Sequence, residues 1–502
     1  MFARRSSGLR SLALLFALLT PSAAFSAEWY AVTSDNFTLY SDASPDDTKA
    51  LVEKFEIFRS SALSVLGLRD EPEKQRLLIM VYDTARDFGR ISPRNAAGFY
   101  YDSIFGPRML MRGTGGADDE GVLFHEYVHF LMNQRSTFNY PRWYAEGLAT
   151  VLETTQIEDS IMVGNPPLYA GRAIALGFRP TVHGVVTNTV DAQGGFYLTS
   201  WLMSHYVSLG NPARRKQTTD YLRRYDAGED PVAAFEASYE ISTTGMDAEL
   251  AAYARRGKLN ALKAPRQAYS GSLSSRALTE DEAMLLLADI AVEVDAYEAA
   301  HHYFEQAQLA DADSPFRAKL MARRSIAYIH ERKVAEGDEL IGPLLAEGSD
   351  DSQVIGDIAH YAFDKFVEIK TGRAAGDAGA ELERAVEYGV RAVEADPANL
   401  EAQYYLGLSY EAAGRLQKAA DALLGGYELS PSPRLNLALA RVLIKGGQHE
   451  LASYLLSHML NVSHAEEWQN GVREIVADLE DTKLSKDYAL LSPPWVVRSA
   501  DE

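Results

Sequence analysis

Residues 121–149 read GVLFHEYVHFLMNQRSTFNYPRWYAEGLA, the stretch that most constrains both fold and chemistry. Apolar residues at helical spacing predict a buried helix around His125 and His129. These histidines are four positions apart, so their imidazoles lie on one face of that helix, one turn apart. Two neutral imidazoles at this spacing bind one zinc ion, and Glu126 beside them is placed to deprotonate a water molecule. A catalytic zinc site also needs a third protein ligand and an open fourth position.

The predicted third ligand is Glu146, in the segment WYAEGLA. A proline two positions before this segment suits the start of a second helix. A short loop between the two helices lets the second fold back beside the first. Two histidines, one glutamate and a water form a thermolysin-type ligand set. The sequence therefore predicts one zinc ion per chain on His125, His129 and Glu146, with Glu126 as general base and acid.

The composition excludes several other classes of function. Of 502 residues, 47% are hydrophobic and 24% are charged, which is typical of folded globular proteins. A formal net charge of −21 argues against nucleic-acid binding, which needs a basic surface. The chain has no cysteine, which excludes disulfide scaffolds, thiol nucleophiles and cysteine-bound metals. Any transition metal must therefore be bound by His, Asp or Glu.

Residues 1–27 have the layout of a secretory signal peptide. Arg4, Arg5 and Arg10 precede the short apolar run LALLFALL, small residues follow, and no acidic side chain occurs before residue 28. The run is much shorter than the roughly 20 residues that span a bilayer. We therefore expect an exported protein, periplasmic or secreted, without a membrane span.

The rest of the amino-terminal half predicts an α+β domain over residues 28–262. Strand patterns before residue 115 predict a small mixed sheet; they lie at 29–34, 37–41, 76–82, 98–103 and 108–112. Ser44-Pro45 predicts a helix start, and residues 121–259 are mainly helical in pattern. Residues 263–280 are rich in breakers and predict a linker, which ends in the capping-box sequence TEDE at Thr279–Glu282.

Internal repeats organise residues 281–470. The segment YYLGLSYEAAGRLQKAADALLGGYELSP, residues 404–431, has small residues and a final proline at the positions typical of a tetratricopeptide repeat (TPR). Pro397 lies 34 positions before Pro431, which is the period of this repeat. The sequence predicts an all-α TPR solenoid followed by a helix and tail over 471–502, the alternative being a generic helical bundle. Such arrays present a groove that binds peptides or proteins.

The motifs HEYVH and WYAEGLA together resemble the gluzincin metallopeptidases, whose second motif is Trp-x-x-Glu-Gly-x-Ala. With the repeats, the chain resembles exported bacterial proteins that join a compact gluzincin domain to TPRs. The resemblance covers residues 29–260 and implies a zincin-like fold with the same ligand and base roles as above. It also implies that strand Arg108–Arg112 is an edge that pairs with an extended peptide.

The resemblance implies further site residues. Tyr197, at the start of a later helix, is the expected oxyanion donor, with His205 as the alternative. Thr150 stands where related enzymes often have a carboxylate that orients a histidine ligand, and whether Glu153 substitutes for it is open. The aminopeptidase motif Gly-x-Met-Glu-Asn does not occur, so an endopeptidase is expected rather than an aminopeptidase.

The sequence thus predicts an exported zinc peptidase whose repeats recruit a protein substrate or a protein partner. The alternative is a non-catalytic or weakly catalytic repeat scaffold for periplasmic protein assembly. The substrate, the cleavage preference, the oligomeric state and whether the repeats cover the cleft stay open.

Overall fold

A computed structural model describes most of the chain between residues 28 and 456. The described ranges are 28–71, 76–92, 98–113, 117–135, 140–190, 195–257, 259–307, 314–430, 432–452 and 455–456. The predicted signal peptide (1–27) and the predicted C-terminal helix and tail (471–502) lie outside these ranges. None of the helices in the described ranges combines the length and the hydropathy that a membrane-spanning segment needs.

The strands of the described residues form two sheets. They are β1 (Tyr30–Thr33), β2 (Phe37–Ser41), β3 (Leu77–Tyr82), β4 (Gly98–Ser103), β5 (Gly106–Arg112), β6 (Gln156–Ile157), β7 (Ser160–Val163), β8 (Leu262–Pro265) and β9 (Ser274–Ala277). The larger sheet has the order β4-β5-β3-β2-β1-β9, and the smaller one the order β6-β7-β8. In the larger sheet the β2–β3 and β3–β5 pairs are parallel and the others antiparallel, so the predicted mixed sheet is confirmed.

Helices cover the rest of the amino-terminal half. They are α1 (Pro45–Leu66), α2 (Ala85–Phe88), α3 (Ala117–Arg135), α4 (Arg142–Glu153), α5 (Leu168–Ala175), α6 (Val182–Val186), α7 (Phe196–His205), α8 (Pro212–Asp226), α9 (Pro231–Tyr239) and α10 (Thr243–Ala254). A π-helical turn, Tyr206–Gly210, continues α7. Helix α1 begins as predicted, because the Ser44 side chain accepts a hydrogen bond from the backbone N–H of Asp47 and Pro45 is the first helical residue.

The central strand β3 is apolar throughout because both faces of the sheet are buried. Leu77, Ile79 and Val81 point into a core formed with the helices of the amino-terminal half. Met80 and Tyr82 point to the opposite face, into a core shared with the first repeat helices. A strand buried on both sides gives a continuous apolar run rather than an alternating one, as residues 77–82 do.

The predicted linker over 263–280 differs from the structure, which has two strands there. Strand β8 pairs with β7, and β9 pairs with β1, so the segment belongs to both sheets. The side chains of β9 are all exposed, so its sequence has no apolar alternation to reveal a strand. Backbone hydrogen bonds to β1 specify this strand instead.

The carboxy-terminal part is an all-α array of paired helices. Its helices are α11 (Glu280–Glu293), α12 (Tyr297–Gln306), α13 (Arg317–His330), α14 (Val334–Glu347), α15 (Ser352–Lys370), α16 (Ala378–Ala395), α17 (Leu400–Ala412), α18 (Leu416–Leu429) and α19 (Pro433–Lys445). The capping box at Thr279–Glu282 is confirmed. A Cβ at Gly407 would lie 2.5 Å from Cγ of Leu423, so a small residue lets α17 and α18 approach, as the repeat pattern predicts.

The turn between β4 and β5 contacts the repeat array. Ile104 belongs to a core with residues of α17, α18 and α19. The Arg323 guanidinium of α13 lies 4.2 Å from the centre of the Phe105 ring. Nearby, the Tyr101 hydroxyl donates to Glu293 over 2.9 Å, and Arg108 lies 3.4 Å from the same carboxylate. The amino-terminal domain and the array are therefore packed against each other through this strand pair.

Candidate metal centre

Helix α3 positions two histidines on one face, as the sequence predicts. His125 and His129 are one turn apart, and their Nε2 atoms are 3.1 Å apart. Phe124 and Tyr127, on the same helix, are buried in the core of the amino-terminal half, and Phe124 stacks on Phe58 with ring centres 3.9 Å apart. This packing fixes the helix, and with it the direction of both imidazoles.

Helix α4 brings Glu146 to the same point. The helix is anchored by Trp143, which is fully buried and whose indole N–H donates to the Tyr221 hydroxyl over 3.3 Å. Gly147 allows α7 to pack directly on α4, because a Cβ there would lie 2.2 Å from the Ser200 carbonyl oxygen and 2.3 Å from the Ser204 hydroxyl. The glycine of the WYAEGLA segment is therefore required by close helix packing.

The ligand atoms of His125, His129 and Glu146 converge, and we call these three residues the His–His–Glu cluster. Glu146 Oε2 lies 3.4 Å from His125 Nε2 and 3.6 Å from His129 Nε2. Zinc bonds of about 2.0–2.1 Å in a tetrahedron separate the ligand atoms by about 3.3 Å. The three observed separations of 3.1, 3.4 and 3.6 Å bracket that value, so the donor set fits a zinc ion.

Glu153 orients the first histidine, which answers a question that the sequence left open. Its Oε2 lies 2.8 Å from His125 Nδ1. Accepting the Nδ1 proton leaves the Nε2 lone pair of His125 directed at the other ligands. Thr150 is one turn after Glu146 and donates its hydroxyl to the Glu146 backbone carbonyl over 2.8 Å. The orienting carboxylate is thus supplied by Glu153.

Negative charge is concentrated around His125. Burial lowers the pKa of His125, but its hydrogen bonds to Glu146 and Glu153 and the charge of Glu126 outweigh burial and raise it to about 10. Three carboxylates around two imidazoles favour a positive charge at their centre. A divalent cation would supply that charge in the place where the ligand atoms meet.

Tyr197 lies close enough to the cluster for the charges of Glu146 and Glu126 to act on its hydroxyl. It is 37% exposed at the start of α7, and its side chain is hydrogen-bonded to Arg142. Burial and the charges of Glu146 and Glu126 raise the pKa of Tyr197, although Arg142 opposes them. The hydroxyl therefore keeps its proton at neutral pH and is a hydrogen-bond donor close to the cluster.

His205, the alternative donor, is occupied elsewhere. It is fully buried, its Nε2 donates to the Gly164 carbonyl over 2.8 Å, and its Nδ1 accepts from the Tyr253 hydroxyl at 3.0 Å. Both ring nitrogens of His205 are therefore engaged in hydrogen bonds within the protein. The structure thus gives His205 a structural role and leaves Tyr197 as the donor candidate.

Tyr169 is a neighbour of the site that the sequence analysis did not find. Its hydroxyl is hydrogen-bonded to Thr150, and the charges of Glu153 and Glu146 act on it. Leu168, beside it on α5, is 85% exposed. Their segment has no motif, so the proximity of Tyr169 to Thr150, Glu146 and Glu153 is seen only in the folded chain.

The prediction that Arg108–Arg112 forms an edge strand is wrong. Arg108–Arg112 belongs to β5, which has β4 on one side and β3 on the other. In the described residues the two edges of this sheet are β4 and β9, and Tyr100 of β4 contacts Phe130 of α3 with ring centres 6.1 Å apart. The sequence predicted two neighbouring strands, but their order in the sheet depends on pairing that local pattern does not encode.

No protein-family model matches this chain, and no curated protein matches it. It is similar to the structure of TTC0263, a thermophilic TPR protein of Thermus thermophilus, with 18% identity, 38% of this chain and 98% of that chain covered, and a TM-score of 0.32. It is also similar to PilF of Pseudomonas aeruginosa (16% identity, 42% and 89% covered, TM-score 0.31) and to the D159K mutant of MamA (22% identity, 36% and 95% covered, TM-score 0.26).

Proposed function

We propose that this protein is an exported zinc peptidase that hydrolyses peptide bonds, and that its TPR-like array recruits the protein substrate. The main support is the His–His–Glu cluster, whose ligand atoms lie within 3.6 Å of one another. Glu126 is adjacent to His125 in sequence, and its charge acts on that imidazole. Few structural roles require two imidazoles and a carboxylate to face each other next to a second carboxylate.

In this proposal each residue has a separate task. His125, His129 and Glu146 hold the ion, which would supply Lewis-acid activation of a water molecule and of the scissile carbonyl. Glu126 takes the proton from the attacking water and passes it to the leaving amine nitrogen. Tyr197 donates a hydrogen bond to the oxyanion that forms when water adds to the carbonyl carbon.

Strand β4 is the proposed binding edge for an extended substrate. Within the described part of the chain it pairs only with β5, so its other side offers backbone hydrogen bonds. An extended peptide adds to such an edge as a further strand. The exposed side chains of Leu168 and Tyr169 provide apolar surface near the cluster for substrate side chains.

A second candidate is a repeat scaffold in which the His–His–Glu cluster has no catalytic role. The array of paired helices α11 to α19 supports it, because such arrays bind proteins along their inner surface. Protein binding by the array is common to both candidates. They differ in whether Glu126 matters to any reaction.

The deciding experiment compares wild type, Glu126→Gln and Glu158→Gln on fluorescently labelled, unfolded casein. Glu158 is an exposed carboxylate in the turn between β6 and β7, so Glu158→Gln is the matched control. The zinc content of each protein is measured alongside. The peptidase proposal expects equal zinc in all three and a loss of cleavage by about 10²–10⁴-fold in Glu126→Gln alone.

Equal cleavage by wild type and Glu126→Gln would overturn the proposed role of Glu126. Negligible cleavage by all three proteins at full zinc occupancy would favour the scaffold. A zinc content that changes with neither Glu146→Gln nor His129→Ala would overturn the metal assignment.

A further inference from the structure

A second group of metal-ligating side chains lies within the repeat array. His330 is the last residue of α13, and His360 and Asp364 are one turn apart on α15. His330 Nε2 lies 3.3 Å from His360 Nε2, and Asp364 Oδ2 lies 3.0 and 3.2 Å from these two atoms. We call these residues the His–His–Asp cluster. Its separations are close to the value of about 3.3 Å that separates the ligands of a tetrahedral zinc ion.

Hydrogen bonds on the far side of each ring assign the tautomers. His360 Nδ1 lies 2.7 Å from Glu401 Oε1, so it carries the proton that this carboxylate accepts. His330 Nδ1 lies 3.3 Å from the Tyr297 hydroxyl, whose own proton is donated to Asp295. Tyr297 therefore accepts from His330 Nδ1. Both Nε2 atoms then present lone pairs to each other and to the carboxylate of Asp364.

Three acceptor atoms at this distance are satisfied either by a shared proton or by a metal ion. A single proton on one Nε2 is shared with the other Nε2 or with Asp364 Oδ2, whereas protons on both bring two N–H groups together at 3.3 Å. A metal ion satisfies both imidazoles and the carboxylate at once.

The surroundings hold the ligands in place. His360 is buried, and its ring stacks on Tyr405 with centres 3.7 Å apart and planes 20° apart. Glu401, which holds its Nδ1, also contacts the buried guanidinium of Arg323 at 3.3 Å. On the other side, the His330 side chain is 28% exposed and that of Asp364 23% exposed. The cluster is therefore packed against buried side chains on the His360 side and open to solvent on the other. The open side leaves room for a water or a partner's side chain as fourth ligand.

We propose that His330, His360 and Asp364 bind a second divalent metal ion of the zinc class, which ties α13 to α15. Two imidazoles and one carboxylate suit zinc or its late first-row neighbours rather than Mg²⁺ or Ca²⁺, which prefer oxygen ligands. The two helices belong to successive helix pairs, so the ion fixes the angle between neighbouring repeats. This site is independent of the proposed peptidase activity.

Zinc stoichiometry tests the site. The full chain without an affinity tag is stripped with a chelator, reloaded with Zn²⁺ alone, and analysed by mass spectrometry for zinc per chain. Wild type is expected to hold two ions, and His330→Ala, Asp364→Asn and Glu146→Gln one each. His302→Ala, which changes a histidine of α12 outside both clusters, keeps two.

A second readout locates the ion. In Glu146→Gln, Zn²⁺ is expected to slow amide hydrogen exchange at least tenfold in residues 317–330 and 352–370. The double variant Glu146→Gln with His330→Ala should show no such effect, and its circular dichroism in the absence of zinc should match that of Glu146→Gln.

The outcomes separate the two sites. If only the His–His–Asp cluster binds zinc, wild type holds one ion, which survives Glu146→Gln and is lost in His330→Ala. The proposal is overturned if Glu146→Gln holds no zinc, or if its remaining ion is unaffected by both His330→Ala and Asp364→Asn.

Discussion

The His–His–Glu and His–His–Asp clusters have the same ligand geometry and different neighbours. In each, two Nε2 atoms and one carboxylate oxygen lie 3.0–3.6 Å apart. In each, another carboxylate binds the Nδ1 of one histidine, at 2.8 Å for Glu153 and 2.7 Å for Glu401. The first cluster has Glu126 next to a ligand, whereas the corresponding position after His360 is Tyr361. Ligand convergence thus carries the proposed metal binding at both clusters, and the added carboxylate carries the proposed catalysis at the first.

The largest expected contrast is between matched substitutions of the two acidic ligands. Glu146→Gln should reduce casein cleavage by about 10³-fold or more, because several kcal/mol of Lewis-acid stabilisation are lost. Asp364→Asn should leave the rate within about twofold, since the ion proposed there only ties two helices together. Steady-state rates at saturating zinc measure both. A large loss in Asp364→Asn, with intact helix content, would contradict the separation of roles.

A smaller contrast concerns the two tyrosines near the first cluster. Tyr197→Phe should lower kcat by about 10²-fold with little change in KM, because the lost hydrogen bond forms only to the oxyanion. Tyr169→Phe should change kcat by no more than about threefold, since its hydroxyl is bonded to Thr150. Equal effects of the two substitutions on kcat would show that Tyr197 has no special role.

Replacing Glu153, the carboxylate that orients His125, should have a weaker effect, which falls on metal affinity. Glu153→Gln should lower zinc affinity there by about 10–100-fold, because the neutral amide oxygen is a weaker acceptor for the Nδ1 proton of His125 than the carboxylate. Glu158→Gln is the control and should leave the affinity unchanged. Competition with a zinc chelator, carried out in the Asp364→Asn background, measures the first site alone. An unchanged affinity in Glu153→Gln would mean that the 2.8 Å contact does not support the ligand.

The smallest effect tests the packing that positions Glu146. Gly147→Ala should lower the free energy of unfolding by about 1–3 kcal/mol, since a methyl group has no space between α4 and α7. Gly171→Ala is the matched control: it lies in α5 with open space around it and should be neutral or stabilising by up to about 1 kcal/mol. Thermal unfolding of both variants provides the comparison. A Gly147→Ala protein as stable as wild type would contradict the tight α4–α7 contact.

The sequence predicted those features whose residues are close together along the chain. The Ser44 cap, the capping box at Thr279–Glu282 and the one-turn spacing of His125 and His129 are local patterns, and the structure has all three. Glu146 was predicted because its helix follows α3 after a short loop.

Features that depend on long-range pairing were missed or misassigned. Strand β9 has exposed side chains and breaker-like composition, so only its pairing with β1 identifies it. The place of β5 inside the sheet depends on which strand pairs beside it. The His–His–Asp cluster joins residues 330 and 360, which lie on helices of different repeats, and no short motif spans that separation.

The central claim is that His125, His129 and Glu146 hold one zinc ion and leave one position open. Anomalous diffraction from crystals of the zinc-loaded protein, at wavelengths on both sides of the zinc absorption edge, tests it most directly. The account predicts a peak about 2.0–2.1 Å from the two Nε2 atoms and a Glu146 carboxylate oxygen, with a water as fourth ligand. Zinc-loaded crystals with no anomalous peak among these three side chains would contradict it.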